Sequence, residues 1–259
     1  MGNIFSFSEI QIFTFFLVML RMSAFVVSWP VFGVNLVPAP AKILFGVVLS
    51  FLIFPVVEVQ TQNMALGVEQ MVWLSIREVF LGVSIGFLAR LFFFAVSIGG
   101  QVISVSMGLS ASQLYNPAVG EQSTTIDQLY VALASLFFLA INGHHIFLAG
   151  LAESYKLVPV SYGLLNAAAF AHIGDIIQQI TLIGVQLSAP VMISVLFSNL
   201  AMAVIGRAVP QINVLITSLP INILLGLLVM IVTVPFLIFQ MNDILFQTTE
   251  RLFQYLKAL

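Results

Sequence analysis

Apolar runs long enough to cross a bilayer recur along this chain, and polar residues are confined to interruptions between them. A helical span requires about 20 mostly apolar residues. Six segments approach or exceed that length: residues 10–37, 43–57, 72–105, 129–151, 176–205 and 214–239. Segment 43–57 is short for a full span, and segment 72–105 is long enough for two spans or for one helix that leaves the bilayer. Prolines break the pattern: Pro30, Pro38 and Pro40 around the first segment, Pro55 at the end of the second, and Pro190, Pro220 and Pro235 inside the last two. A proline removes a backbone donor, and the carbonyl it frees must be satisfied by protein or by a lined cavity. The pattern therefore predicts an all-α integral membrane protein with about six apolar helical segments, some of them bent, in a single domain over residues 1–259.

Composition sharpens this reading. Apolar residues make up 61% of the 259 positions and charged residues 7%, against about 25% charged in a soluble domain. A water-facing exterior cannot be built from so few charges, so much of the surface faces lipid or other subunits. The net charge of −2, with eight Lys and Arg spread singly, supplies no basic patch for nucleic acid. The absence of cysteine excludes disulfides and thiolate sites. Residues 1–8 lack the basic stretch and small-residue cleavage pattern of a secretory signal, so the first segment is expected to stay in the mature chain.

The connection 106–128, SMGLSASQLYNPAVGEQSTTIDQ, runs for 23 residues, longer than the roughly 12–15 beyond which connections are usually functional. It is rich in Ser, Gln and Gly, yet it embeds Met107, Leu109, Leu114 and Tyr115. A loop folded into a pore or vestibule accounts for those side chains better than a solvated one.

Few residues offer chemistry. Arg21 and Arg90 lie inside apolar stretches, where a central charge costs about 2.5–3.5 kcal/mol on insertion scales, so each is expected to snorkel or to meet a carboxylate on a neighbouring subunit. His144 and His145 are adjacent and point about 100° apart on a helix, which rules out chelation of one ion as an i, i+4 pair. They are read as hydrogen-bonding residues at a helix kink. Ser110, in Gly108-Leu109-Ser110-Ala111, lies upstream of His144 as in an intramembrane serine protease, but it sits in a polar loop with no oxyanion hole nearby. Asp127, Asp175 and Asp243 fall at segment borders, away from mid-span. No catalytic residue, metal or cofactor is expected. Gly82 and Gly86 form a small-xxx-small pattern that lets helices approach closely, within the chain or between chains.

Four blocks together are specific. Arg77-Glu78 with Gly82 and Gly86 leads into Gly99-Gly100-Gln101-Val102-Ile103 and Met107-Gly108-Leu109-Ser110. Asn116-Pro117 and Gly120 follow. Next come Phe137-Phe138-Leu139-Ala140-Ile141-Asn142-Gly143-His144-His145, with Ser154 and Pro159, and then Arg207-Ala208-Val209-Pro210-Gln211-Ile212-Asn213. This series resembles the FliR family of flagellar type III export-gate subunits, with its R-E-x3-G-x3-G helix, its F-L-x-x-N-G-H-H block and its R-x-x-P-Q-x-N signature. Two strings depart from the flagellar pattern: Ser218-Leu219-Pro220, where Gly-Phe-Pro is usual, and Glu121-Gln122-Ser123-Thr124, where a proline is often present.

The resemblance implies a subunit of a hetero-oligomeric export gate in the bacterial inner membrane, at the flagellar basal body. There it would form, with FliP-like and FliQ-like subunits, the channel for unfolded flagellar proteins, beside FlhB-like and FlhA-like components. It implies a pore plug at 106–128 that includes Met107, Gly108, Leu109, Leu114, Tyr115, Asn116, Pro117 and Gly120. Assembly roles are implied for Arg77, Gly82, Gly86, Gln101, Asn142, Gly143, His144, Arg207, Pro210, Gln211 and Asn213. The equivalent subunit of a virulence injectisome and a stand-alone secondary transporter remain alternatives.

Overall fold

The computed structural model describes residues 8–29, 38–57, 67–110, 124–160 and 173–258. Among these residues the structure is helical throughout, without strands. Seven helices follow in order: α1 (Glu9–Ser28), α2 (Ala39–Ile53), α3 (Val68–Ser106), α4 (Thr125–Ala140), α5 (Gly143–Leu157), α6 (Ile173–Ala208) and α7 (Val214–Ala258). Five are long and apolar enough to cross a membrane, or six spans if the broken pair α4–α5 counts as one.

Local chemistry sets the helix ends. Ser8 accepts the Gln11 backbone N–H while the Gln11 side chain accepts the Ser8 N–H, a reciprocal box that starts α1. Pro40 lies in the first turn of α2, where a missing N–H costs nothing, and Pro55 converts the end of α2 into a short 3-10 turn, Phe54–Val56. The 129–151 segment is interrupted at Asn142, which adopts the left-handed conformation (φ 57°) that asparagine tolerates better than most residues. Pro190 lies within α6, and Pro220 and Pro235 within α7, without ending either helix.

The last helix runs 19 residues beyond the 214–239 segment expected from hydropathy. Its continuation is amphipathic: Met241, Ile244, Leu245, Thr248, Leu252, Tyr255 and Leu256 are buried at helical spacing, while Asp243 and Glu250 face outward. At about 1.5 Å per residue a helix of 45 residues is about 68 Å long, more than twice the hydrocarbon thickness.

The chain divides into two compact units. The first comprises Met1–Leu91, Asn142–Gly174 and Thr248–Leu259. In it, α1 buries Leu17, Val18, Met22, Phe25 and Val26, at the i, i+1, i+5, i+8 and i+9 positions of one helical stripe. α2 meets α1 through Gly46, where an added Cβ would lie 2.9 Å from Ser23 Oγ and 3.1 Å from its Cα. Gly150 on α5 is in contact with Leu252, on the final turns of α7. The second unit comprises Phe92–Ile141 and Asp175–Gln247. Its aromatic centre is Phe92, Phe93 and Phe138, with ring centroids 5.0 to 5.8 Å apart. α3 and α6 approach closely where Gly184 faces Ala95 and Ile98, and where Gly99 faces Leu187.

Large apolar side chains remain outward in both units. Leu44, Phe51 and Leu52 on α2 are 64–68% exposed, and Leu224, Ile231 and Val232 on α7 are 69–73% exposed. A soluble protein does not present such faces in sequence.

Candidate functional site

The first unit holds a buried charge cluster. Arg21 Nε donates to Glu78 Oε2 at 2.6 Å and Arg21 Nη2 to Glu78 Oε1 at 3.0 Å, a two-pronged pair in which both side chains are fully buried. Two of the three remaining guanidinium hydrogens reach Ser154 Oγ and the Val158 carbonyl, both at 3.1 Å. The Arg21 guanidinium carbon lies over the Tyr155 ring, 4.2 Å from its centroid, while the Tyr155 hydroxyl donates to the Val18 carbonyl. Arg77 adds a second cation: it donates to the carbonyls of Val160 and Pro159 and lies 3.7 Å from Glu78, and its Nε has no hydrogen-bond partner among the described residues.

The glycine pattern serves this cluster. A Cβ on Gly82 would strike the Arg21 carbonyl oxygen, and one on Gly86 would strike the Ser28 hydroxyl. The small-xxx-small face of α3 is therefore used within the chain, against the turn of α1 that carries Arg21. Arg21 meets Glu78 of its own chain, in place of the neighbouring-subunit carboxylate expected for it. Glu78 stands 57 positions away; its signal in the sequence is that it is the sole carboxylate in a long apolar run. Tyr155 is a further member that sequence reasoning missed, and a tyrosine in an apolar helix carries no distinguishing signal. Arg90 is exposed and forms no ion pair among the described residues.

In the second unit the ends of the 106–128 connection are fastened. α3 stops in a Schellman turn: the Leu109 N–H bonds to the Ser104 carbonyl and the Gly108 N–H to the Val105 carbonyl, with Gly108 at φ 80°. Met107 is fully buried against α7, where a Cβ on Gly226 would lie 2.7–2.8 Å from its Cγ, Sδ and Cε. Leu109 is half-buried. At the other end Thr124 caps α4 by accepting the Asp127 N–H, and Gly100 leaves room for the Asp127 backbone. Gln101 Nε2 is 3.5 Å from Asp127 Oδ2 and 3.1 Å from Ser97 Oγ. The other carboxylate oxygen, Asp127 Oδ1, is buried without a hydrogen-bond partner among the described residues. Leu114, Tyr115, Asn116, Pro117 and Gly120 lie outside the described residues.

Two further blocks fall at helix junctions. Asn142 and Gly143 form the break before α5. The His144 and His145 rings lie 4.2 Å apart, and His144 Nδ1 is buried with no hydrogen-bond partner among the described residues, so the expected bond at the kink is absent there. At the turn between α6 and α7, Asn213 caps α7 by accepting the Ile216 N–H at 3.4 Å. Arg207, Pro210 and Gln211 are exposed in that turn; of its polar side chains, Asn213 alone bonds to backbone among the described residues. Sequence reasoning also missed a polar clamp between the same helices: Ser198 donates to Asn222 Oδ1 at 2.9 Å, and Asn222 Nδ2 donates to Asn199 Oδ1 at 2.8 Å.

This arrangement offers helix joints, a capped connection and outward apolar faces. Among the described residues it brings together no nucleophile and base.

Known proteins resemble this chain in sequence. The model of the bacterial export proteins, family 1, matches residues 12–248. The chain is 31% identical over 239 residues to the flagellar biosynthetic protein FliR of Bacillus subtilis (strain 168), covering 91% of this chain and 92% of that one. It is 28% identical to the FliR of Aquifex aeolicus (strain VF5), covering 96% and 95%, and 26% identical to that of Escherichia coli (strain K12), covering 85% and 84%. With the family model and these relatives spanning nearly all of its helices, the chain belongs to the bacterial export proteins of family 1, the family of FliR.

Proposed function

We propose that this chain is a subunit of the flagellar type III protein export gate, and that the 106–128 connection closes the gate at rest. Membership in an export family whose relatives are named for flagellar biosynthesis supports the first part. In this reading the chain sits in the bacterial inner membrane at the flagellar basal body. FliP-like and FliQ-like subunits cover its outward apolar faces, FlhB-like and FlhA-like components lie nearby, and unfolded export substrates pass through. The chain conducts and does not catalyse. No nucleic acid takes part.

The observation that carries the closure role is the fastening of both ends of the connection. Met107 is sealed against Gly226 at one end, and Asp127 against Gly100 and Gln101 at the other. A pore wide enough for an unfolded polypeptide leaks ions unless something fills it. A loop that carries Leu109, Leu114 and Tyr115 supplies apolar filling. In this proposal Arg77, Gly82 and Gly86 hold the first unit together, while Asn142, Gly143, His144 and the Arg207–Pro210–Gln211–Asn213 turn serve assembly.

Deleting residues 110–122 tests the reading. The full complex should still assemble, and cells expressing it should become permeable to small ions in a conductance assay. A membrane as tight as wild type would place the seal on other subunits.

A further inference from the structure

The buried cluster of the first unit holds two guanidinium groups against one carboxylate, so among the described residues it carries a positive charge that no anion balances. The surplus lies on Arg77, which is 2% exposed. It donates to the Pro159 and Val160 carbonyls at 3.2 and 3.3 Å, and it stands 3.7 Å from a Glu78 already held by Arg21. Its Nε has no hydrogen-bond partner among the described residues. Carbonyl oxygens carry only partial charge, so they lessen the cost of a buried cation without cancelling it.

A cavity of about 260 Å³ lies beside the cluster and shares two walls with it. One is Tyr155, whose ring lies under the Arg21 guanidinium, and the other is Pro159, whose carbonyl receives Arg77. Lys156 brings a third cation to the rim. It bonds Glu153 at 2.8 Å, but both side chains are exposed, and a surface pair of that kind is weak enough to yield to another anion. The remaining lining, Ile53, Val56, Val57 and Ala152, is apolar. Val56 is 65% exposed, as are Phe51 and Leu52 at 64% and 68%, so the apolar wall runs on to the outward face of α2.

Cations on one side and an apolar wall on the other select an amphiphile. A free phosphate in this cavity would lose water along the apolar wall and gain no donor there. A phospholipid covers that wall with its glycerol and first methylenes while its phosphate faces Lys156 and the cluster. The volume suits a headgroup, with the acyl chains left outside along α2.

We propose that this cavity binds the headgroup of an anionic phospholipid, and that the lipid phosphate supplies the negative charge missing from the Arg21–Glu78–Arg77 cluster. Protein screens the attraction far less than water does, so the phosphate need not touch Arg77. The site requires that the chain lie in a membrane and does not depend on the gate reading.

The test uses the full-length chain expressed with the rest of its export apparatus, exchanged into lipid-free mild detergent and titrated with phosphatidylglycerol under native mass spectrometry. Phosphatidylglycerol should bind more tightly than zwitterionic phosphatidylcholine. Lys156→Gln should weaken its binding about fivefold, Lys156→Arg should preserve it, and Ala152→Phe, which fills the cavity, should remove the most tightly held lipid. In wild-type protein, a phosphatidylglycerol with a diazirine close to its glycerol should label residues 53–57 or 152–159. Labelling confined to other segments overturns the inference, whether or not the variants accumulate. Equal affinity for the two lipids overturns the charge selection on which it rests. Displacement of the lipid by inorganic phosphate makes the ligand a free anion and overturns it as well. Wild-type affinity in both Lys156→Gln and Ala152→Phe places the lipid elsewhere and leaves the cavity without this role.

Discussion

In the first unit two guanidinium groups and one carboxylate are sealed from solvent and bonded to one another, to a hydroxyl and to backbone carbonyls. In the second unit α3 and α6 meet closely at Gly184, but no ion pair joins the helices among the described residues: they are held by amides and hydroxyls, by a long contact from Gln101 to Asp127, and by methionine against glycine. The difference is one of reversibility. Parting a buried ion pair exposes charges to a medium that does not solvate them and costs several kcal/mol. Parting a neutral hydrogen bond in an apolar setting costs about 0.6 kcal/mol on average in membrane double-mutant cycles, and a methionine can leave a glycine notch by changing rotamer. The first unit therefore has the character of a fixed frame. The second, which holds both roots of the 106–128 connection, has the character of a part that can rearrange.

The strongest way to break this comparison is to remove Glu78. Glu78→Ala leaves Arg21 and Arg77 buried with no anion, which should destabilise the chain by about 3–5 kcal/mol and reduce its level in the membrane several-fold by immunoblot. The double replacement Arg21→Met with Glu78→Leu should recover much of that loss, since a well-filled apolar pair removes both charges together, although Arg77 then keeps no acidic neighbour. If Glu78→Ala accumulates like wild type, the cluster is not the frame.

Much of this was legible in the sequence. The apolar runs locate the membrane helices because in lipid a span has to satisfy its backbone internally, which makes length and apolarity sufficient signals. The family blocks mark the helix junctions at Asn142 and Asn213. The Arg21 pairing was not legible, because an ion pair between helices depends on how they cross, and Glu78 is 57 residues distant. The end of α7 was missed because hydropathy searches for uniform apolarity, whereas residues 240–258 bury only one stripe. Gly226 was also invisible: a lone glycine in a leucine-rich helix does not announce that Met107 sits in its notch.

The glycines give a finer version of the same comparison. An alanine at 82 meets the Arg21 carbonyl and the Ala24 Cβ, at 2.8 Å from the latter, neither of which can move without shifting α1. An alanine at 226 meets the far end of the Met107 side chain, which is flexible. Gly82→Ala should cost about 2–3 kcal/mol and Gly226→Ala about 1 kcal/mol, read as melting temperatures of the detergent-solubilised complex. Equal losses would mean that the second unit is packed as rigidly as the first.

The smallest effect is expected at the polar clamp of the second unit. Asn222 accepts from Ser198 and donates to Asn199, and it is buried in otherwise apolar helix faces. In Asn222→Leu both bonds are lost, but the Ser198 hydroxyl can turn back to its own helix carbonyl, as Ser194 does to Pro190. Asn199 is exposed and can find another donor. Stability should fall by about 0.6 kcal/mol, less than for Gly226→Ala or Glu78→Ala, and assembly should persist. The more telling readout is conductance: Asn222 stands one turn from Leu219 and from Gly226, which hold Gly108 and Met107. A clamp that holds the resting state should, when cut, raise the resting leak while leaving the complex intact. If Asn222→Leu instead abolishes assembly as Glu78→Ala is expected to, the neutral contacts of the second unit are structural joints of the same rank as the buried ion pair, and the distinction between frame and moving part fails.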